Sequence, residues 1–232
     1  MNLSKILALS AAAVLCLSCF SCGKKSETST SQPSLPAEGE VGELISPTEG
    51  SDEYDLGSYH LSHSGIKLYY DDDIPQELML ALEKYFTTFQ NRDFETYKTC
   101  IWPEYADRME TYLQKDYEYG LDQSFSIQCD NLSSNMGGSF EITRIRAERP
   151  LDTAPDDLSD LSSSEKNVDD FLAHLDTLLG DDFSQSVKDN ADSFEYVTFF
   201  VIAKDADGAE SMLISEYDIL FAVKDGVYYT FG

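Results

Sequence analysis

Between Leu78 and Phe89 the apolar residues Leu78, Met79, Leu82, Tyr85, Phe86 and Phe89 recur at three- and four-residue spacing. That spacing places them on one face of a helix. Asp73-Ile74-Pro75-Gln76 supplies the start signals: Asp73 as N-cap, proline in the first turn, and Gln76 three residues on. The pattern breaks at Asn91-Arg92-Asp93, where Asp93 is placed to cap a second, short helix with Phe94, Tyr97 and Ile101 inward. Pro103 closes that helix, because the residue before a proline is pushed out of the helical region. It also opens a third helix, with Tyr105, Met109, Tyr112 and Leu113 on one side.

After Gly120 the period changes from about four to two. Phe125-Ser126-Ile127-Gln128-Cys129 alternates, as does the run from Phe140 to Arg149, and both predict strands. Asn135-Met136-Gly137-Gly138 between them has the chemistry of a turn. An acidic, serine-rich loop fills 151–166. Val168, Phe171, Leu172, Leu175, Leu178 and Leu179 then predict an amphipathic helix ended by Gly180, with His174 off the stripe and facing solvent. Glu195 to Ala203 is β-branched and aromatic throughout, which predicts a central strand covered on both faces. Asp205–Gly208 reads as a hairpin turn. Met212–Lys224 reads as a second long strand, with Leu213, Tyr217, Ile219, Phe221 and Val223 on one face. Asp225-Gly226 is a favoured two-residue turn into a last strand, Val227–Phe231. The expected class is α+β: helices first, two strands, an inserted helix, then a three-stranded antiparallel meander.

The N-terminal residues follow a different logic. Lys5 precedes an apolar run, Ile6–Leu17, which is too short to cross a bilayer and is built like a removable secretory signal. The run ends in Cys16-Leu17-Ser18-Cys19-Phe20-Ser21-Cys22-Gly23, and the chain turns polar at once. A small residue before a cysteine at this place resembles the lipobox of bacterial lipoproteins, in which the cysteine is lipidated and becomes the new N-terminus. Cys22 fits best, because Gly23 and the polar switch follow it; Cys19 is the alternative. The resemblance implies a signal peptide over 1–21 and a lipid-anchored N-terminus outside the cytoplasm. From 22 to 65 the composition of Ser, Thr, Glu, Gly and Pro predicts a flexible stalk. A single domain is expected over 66–232.

Charge narrows the partners. Forty-three acidic against 16 basic residues give a net charge of −27. Such a surface repels nucleic acid and anionic headgroups, so any membrane contact is expected through the lipid alone. The acidic runs lack calcium-loop spacing; Asp205-Ala206-Asp207-Gly208 comes nearest and is read as a turn. Two cysteines fall within the domain, Cys100 and Cys129, as buried free thiols or as a disulfide. His60 and His63 sit in loop sequence without cysteine or carboxylate support, and no metal site is expected. No nucleophile stands beside a base, no glycine-rich phosphate loop occurs, and no paired carboxylates fall on inward positions. No cofactor is implied.

Two segments carry a further resemblance. Leu82-Glu-Lys-Tyr-Phe-Thr-Thr-Phe-Gln-Asn-Arg-Asp-Phe-Glu-Thr-Tyr97 resembles the aromatic helix and polar-Asp-aromatic junction that open SnoaL-like and nuclear transport factor 2-like domains. Phe221-Ala-Val-Lys-Asp-Gly-Val-Tyr-Tyr229 is similar to their closing hairpin, with Tyr228 where tryptophan is usual. The resemblance spans 74–231 and implies a cone in which helices pack on a curved, mostly antiparallel sheet; a cystatin-like arrangement is the alternative. It implies a pocket lined by Tyr85 and Phe89 from the helix and by Tyr196, Thr198, Phe200, Tyr217 and Ile219 from the strands. Three functions follow as expectations. The first is a non-catalytic binding or interaction domain tethered at the cell surface, with a surface protein as partner. The second is a pocket for a small apolar ligand. The third is an isomerase or dehydratase, for which Asp218 and Glu216 are the candidate acids if their strand faces the other way. Domains of this class often pair through their sheets, so a homodimer is a further expectation.

Overall fold

The computed structural model describes residues 34–51, 54–150 and 163–232. The expected signal peptide, Cys19 and Cys22 lie outside these residues, as does most of the acidic loop after Pro150. Two short strands come first, β1 (His60–Leu61) and β2 (Lys67–Tyr69). Four helices follow: α1 (Gln76–Asn91), α2 (Phe94–Cys100), α3 (Pro103–Tyr117) and α4 (Leu121–Asn135). Then come β3 (Phe140–Glu148), α5 (Ser163–Leu179), α6 (Phe183–Asn190), β4 (Ser193–Asp205), β5 (Glu210–Lys224) and β6 (Val227–Tyr229). The strands form one sheet in chain order, curled like half a barrel. Only β2 and β3 run parallel, because α1–α4 form the crossover between them.

The helices form largely as their caps dictate. Asp93 caps α2 by accepting from the Thr96 N–H at 3.0 Å and the Thr96 hydroxyl at 2.6 Å. Pro103 is the first residue of α3, where its missing N–H costs nothing. Asp73 does not cap α1. Pro75 occupies that position with no side-chain bond, and Asp73 instead lies near Arg149, whose Nη2 donates to the Asp73 carbonyl at 3.0 Å.

One face of α1 (Leu78, Met79, Leu82, Phe86) lies on the concave face of the sheet (Leu68, Ile145, Val197, Phe199, Val201), and all of these are buried. The Phe86 and Phe199 ring centroids are 4.8 Å apart. Burying a large apolar side chain is worth about 1.5–3 kcal/mol, so this seam is the main source of stability.

Four expectations are corrected. Phe125–Cys129 is not a strand but part of α4: Leu121, Phe125 and Cys129 also repeat every four residues and are buried, while Ile127 is exposed. Only one strand, β3, therefore lies between the first four helices and α5, and two strands precede α1. The helix α6 was not foreseen. The expected flexible stalk is hydrogen-bonded to the fold from Gly42 onward, through Gly42 N–H to Leu61 C=O at 2.7 Å and a two-way bond between Ile45 and Tyr59. Tyr59, Leu61 and Tyr69 form a small second core there, against Ile45. Finally, β4 is fully covered on one face only: Val197, Phe199, Val201 and Ala203 are buried, while Tyr196, Phe200 and Ile202 are half-buried on the other.

Candidate functional site

The concave side of the sheet is not filled. Between α1, α4 and β5 lies a cavity of about 410 Å³. Tyr85, Phe86 and Phe89 of α1 line it from one side, and Leu213, Ile214, Tyr217 and Ile219 of β5 from the other. Phe199 of β4, Phe171 of α5 and Thr230 complete the wall, and Gln128, Asn131, Leu132 and Asn135 of α4 form one margin. Tyr217, 63% exposed, stands at the mouth. Among the described residues no Lys, Arg or His belongs to the lining.

The shape of β5 makes this space. The pairing of β5 with β4 slips twice, between Phe199 and Val201 and between Val201 and Ile202. Glu216 there takes a φ of 43°, which L-residues adopt only at a cost. Such bulges bend a strand and re-aim its side chains.

Of the seven pocket residues expected from sequence, Tyr85, Phe89, Tyr217 and Ile219 line the cavity. Tyr196, Thr198 and Phe200 do not, because alternation along β4 puts them on the convex face once Val197 and Phe199 point inward. There Thr198 Oγ1 donates to Asp218 at 2.6 Å and Tyr196 Oη donates to the same carboxylate at 3.3 Å. Partial burial, with the Asp218 charge beside it, pushes the Tyr196 phenol up to about 12. Gln128, Asn131 and Asn135 were missed because Gln128 reads as part of a strand and Asn135 as the start of a turn; their spacing of three and four residues is the signal that places them on one helical face.

Inside the cavity wall, burial and neighbouring phenols hold the Tyr85 hydroxyl well above its ordinary value, so it stays a neutral donor. Tyr105, also buried, is raised for the same first reason. Cys100 and Cys129 are free and buried, and burial raises both thiols. Among the described residues no three His, Cys, Asp or Glu side chains gather closely enough to hold a metal ion. His60 and His63 each place Nδ1 at 2.8 Å from a carbonyl of the N-terminal segment, those of Gly42 and Pro36.

Other hollows occur among the described residues. One of about 590 Å³ lies where β3 ends, and its charges are already paired, Arg149 with Glu195 at 2.6 Å and Lys188 with Asp169 at 2.7 Å. A groove of about 290 Å³ crosses the convex face over Phe200, Ile202 and Met212, between Arg144 and Arg146. No protein-family model, curated protein or solved structure gives a significant match to the chain.

Proposed function

We propose that this protein is an extracytoplasmic lipoprotein, anchored through Cys22 or Cys19, whose nuclear transport factor 2-like cone binds a small, largely apolar molecule. The observation that carries the reading is the open cavity of about 410 Å³ under the curled sheet, with six aromatic side chains in its lining. A preformed apolar hollow with a few convergent polar groups is the usual form of a ligand site. Binding is favoured over catalysis because Asp218, the one acidic residue among the described lining residues, turns its carboxylate to the convex face, where it accepts from Thr198 and Tyr196. A proton-transfer enzyme needs such a group aimed at its substrate.

Two measurements test this reading. Full-length protein isolated from cells under native conditions is extracted, and the small molecules released are compared by mass spectrometry with those from Leu213→Trp, whose larger ring fills the cavity. A compound carried by the wild type and absent from the variant supports the reading; identical extracts sink it. Metabolic labelling with an alkyne fatty acid tests the anchor. Label lost in Cys22→Ser or in Cys19→Ser supports lipidation at that residue, and a chain that never takes up label sinks it.

A further inference from the structure

The cavity wall has a definite electrostatic sign. Tyr85 meets Phe86 at 72° and Phe89 at 86°, with centroids 5.0 and 5.1 Å apart. Phe199 meets Tyr217 at 67° and 5.8 Å. These three pairs meet edge to face rather than stacked, and aromatic faces carry the negative end of the ring quadrupole. Among the described residues no basic side chain belongs to the lining, so none of them neutralises an anion there, and desolvating an unpaired anion is costly. The Asp218 carboxylate is turned to the convex face, where Thr198 and Tyr196 hold it, but the chain as a whole carries −27. Such a field raises the local concentration of cations. The Tyr85 side chain, 5% exposed, makes no hydrogen bond with any described residue, which leaves its hydroxyl for a guest.

We infer that the cavity takes a small organic cation of the quaternary ammonium class, its alkyl groups against the rings of Tyr85, Phe86, Phe89, Phe199 and Tyr217. The inference rests on the proposed reading of the cavity as a ligand site and adds the sign of the ligand's charge. A neutral guest of the same shape gains only the apolar contact. A cationic one gains ring attraction as well, worth about 0.5–2 kcal/mol per good contact. An anion gains neither and meets repulsion.

Three probes of nearly equal shape separate these cases: choline, its uncharged carbon isostere 3,3-dimethylbutan-1-ol, and 3,3-dimethylbutanoate. Each is titrated into the full chain by ligand-observed NMR at about 0.15 M salt, where the Debye length of about 8 Å suppresses diffuse attraction. Choline is expected to bind about 5- to 30-fold tighter than the alcohol, with the carboxylate weakest. Tyr217→Leu, at the exposed mouth, tests the ring without threatening the core. It is expected to weaken choline several-fold and the alcohol distinctly less. If the alcohol binds as well as choline, the cation inference falls while the ligand site stands. If neither binds, both fall. Choline binding that survives both Leu213→Trp and Ile214→Trp, checked for folding by circular dichroism, locates the cation elsewhere on the acidic surface and overturns the inference.

Discussion

Arg108 grips both carboxylate oxygens of Asp182, Nη1 to Oδ1 at 2.7 Å and Nη2 to Oδ2 at 3.2 Å. Nη1 also donates to the Leu179 carbonyl at the end of α5, and Nη2 to Glu104 on its own helix. Glu104 in turn accepts from Ser186 of α6 at 2.6 Å. One guanidinium thus joins α3 to the α5–α6 corner, and the planar fork of arginine is what makes four bonds compatible. Arg108→Lys keeps the charge and loses the fork, so it is expected to lower the thermal midpoint nearly as far as Arg108→Ala. Asp182→Ala should cost less than either, since Asp182 is largely exposed and the bonds to Leu179 and Glu104 persist. A Lys variant as stable as wild type would show that charge alone suffices.

The same pair sets an acid limit. Arg108, by hydrogen bond and charge, holds the Asp182 carboxyl below its ordinary value. A depressed folded-state pKa gives stability that is complete above the unfolded value of about 3.9 and lost as pH falls through the folded one. Thermal midpoints measured from pH 6 down to pH 2 are expected to fall less steeply in Asp182→Asn than in wild type.

Glu83 behaves oppositely. It is buried on α1 and accepts from Ser62 Oγ at 2.7 Å, while Ile66 N–H donates to that same hydroxyl at 3.2 Å. Burial raises the carboxyl despite the hydrogen bonds from Ser62 and Ser64. A raised folded-state pKa gives stability that is complete below the unfolded value, about 4.3, and lost as pH rises through the folded one. Glu83→Gln keeps an acceptor and removes the charge. It is expected to match wild type at acid pH and to exceed it at pH 8 in urea unfolding. Glu83→Ala strands the Ser62 hydroxyl and should cost about 1–3 kcal/mol at acid pH and less at pH 8.

Sequence resolved this fold where a pattern ran long enough to exclude its rival. The stripes of α1 and α5 span four turns, and no strand could bury them. Asp225-Gly226 was legible because its turn needs two positive φ values, observed at 52° and 76°. Phe125–Cys129 failed because five residues fit either period, and the contact of Phe125 with Tyr97, at 4.6 Å between centroids, decides for the helix. The site was half legible for a related reason. In β4 the run Val197-Thr198-Phe199-Phe200-Val201-Ile202 is apolar on both parities but for Thr198, so composition does not say which face is inside. On β5 both Tyr217 and Ile219 line the cavity, and the bulges around Glu216 leave Tyr217 at its mouth and Ile219 within its wall.

The buried thiols offer a direct probe of the α2–α4 contact. Cys100 and Cys129 are both raised by burial, and reactivity follows the exposed thiolate. Mass spectrometry after brief iodoacetamide treatment at pH 8 should show neither modified in native protein and both modified in denaturant. Labelling of Cys129 in the native state would mean that α4 opens locally.

Adjacent residues of β4 give the sharpest test of which sheet face is inside. Phe199 is 2% exposed and packs on Phe86, so Phe199→Ala removes a ring the surroundings cannot replace. The expected loss is about 3–5 kcal/mol. Thr198 lies on the other face, and its bond to Asp218 is exposed to water. Thr198→Ala is expected to cost under about 1 kcal/mol. Phe199→Leu should do something different again. It keeps an apolar filler in the seam, enlarges the cavity wall by the difference in side-chain volume, and leaves the chain folded. Bulkier guests should then bind better relative to small ones than they do in the wild type. The reverse ranking, with Thr198→Ala the more damaging, would mean that β4 presents its other face to α1. The cavity would then be lined by Tyr196, Thr198 and Phe200 after all.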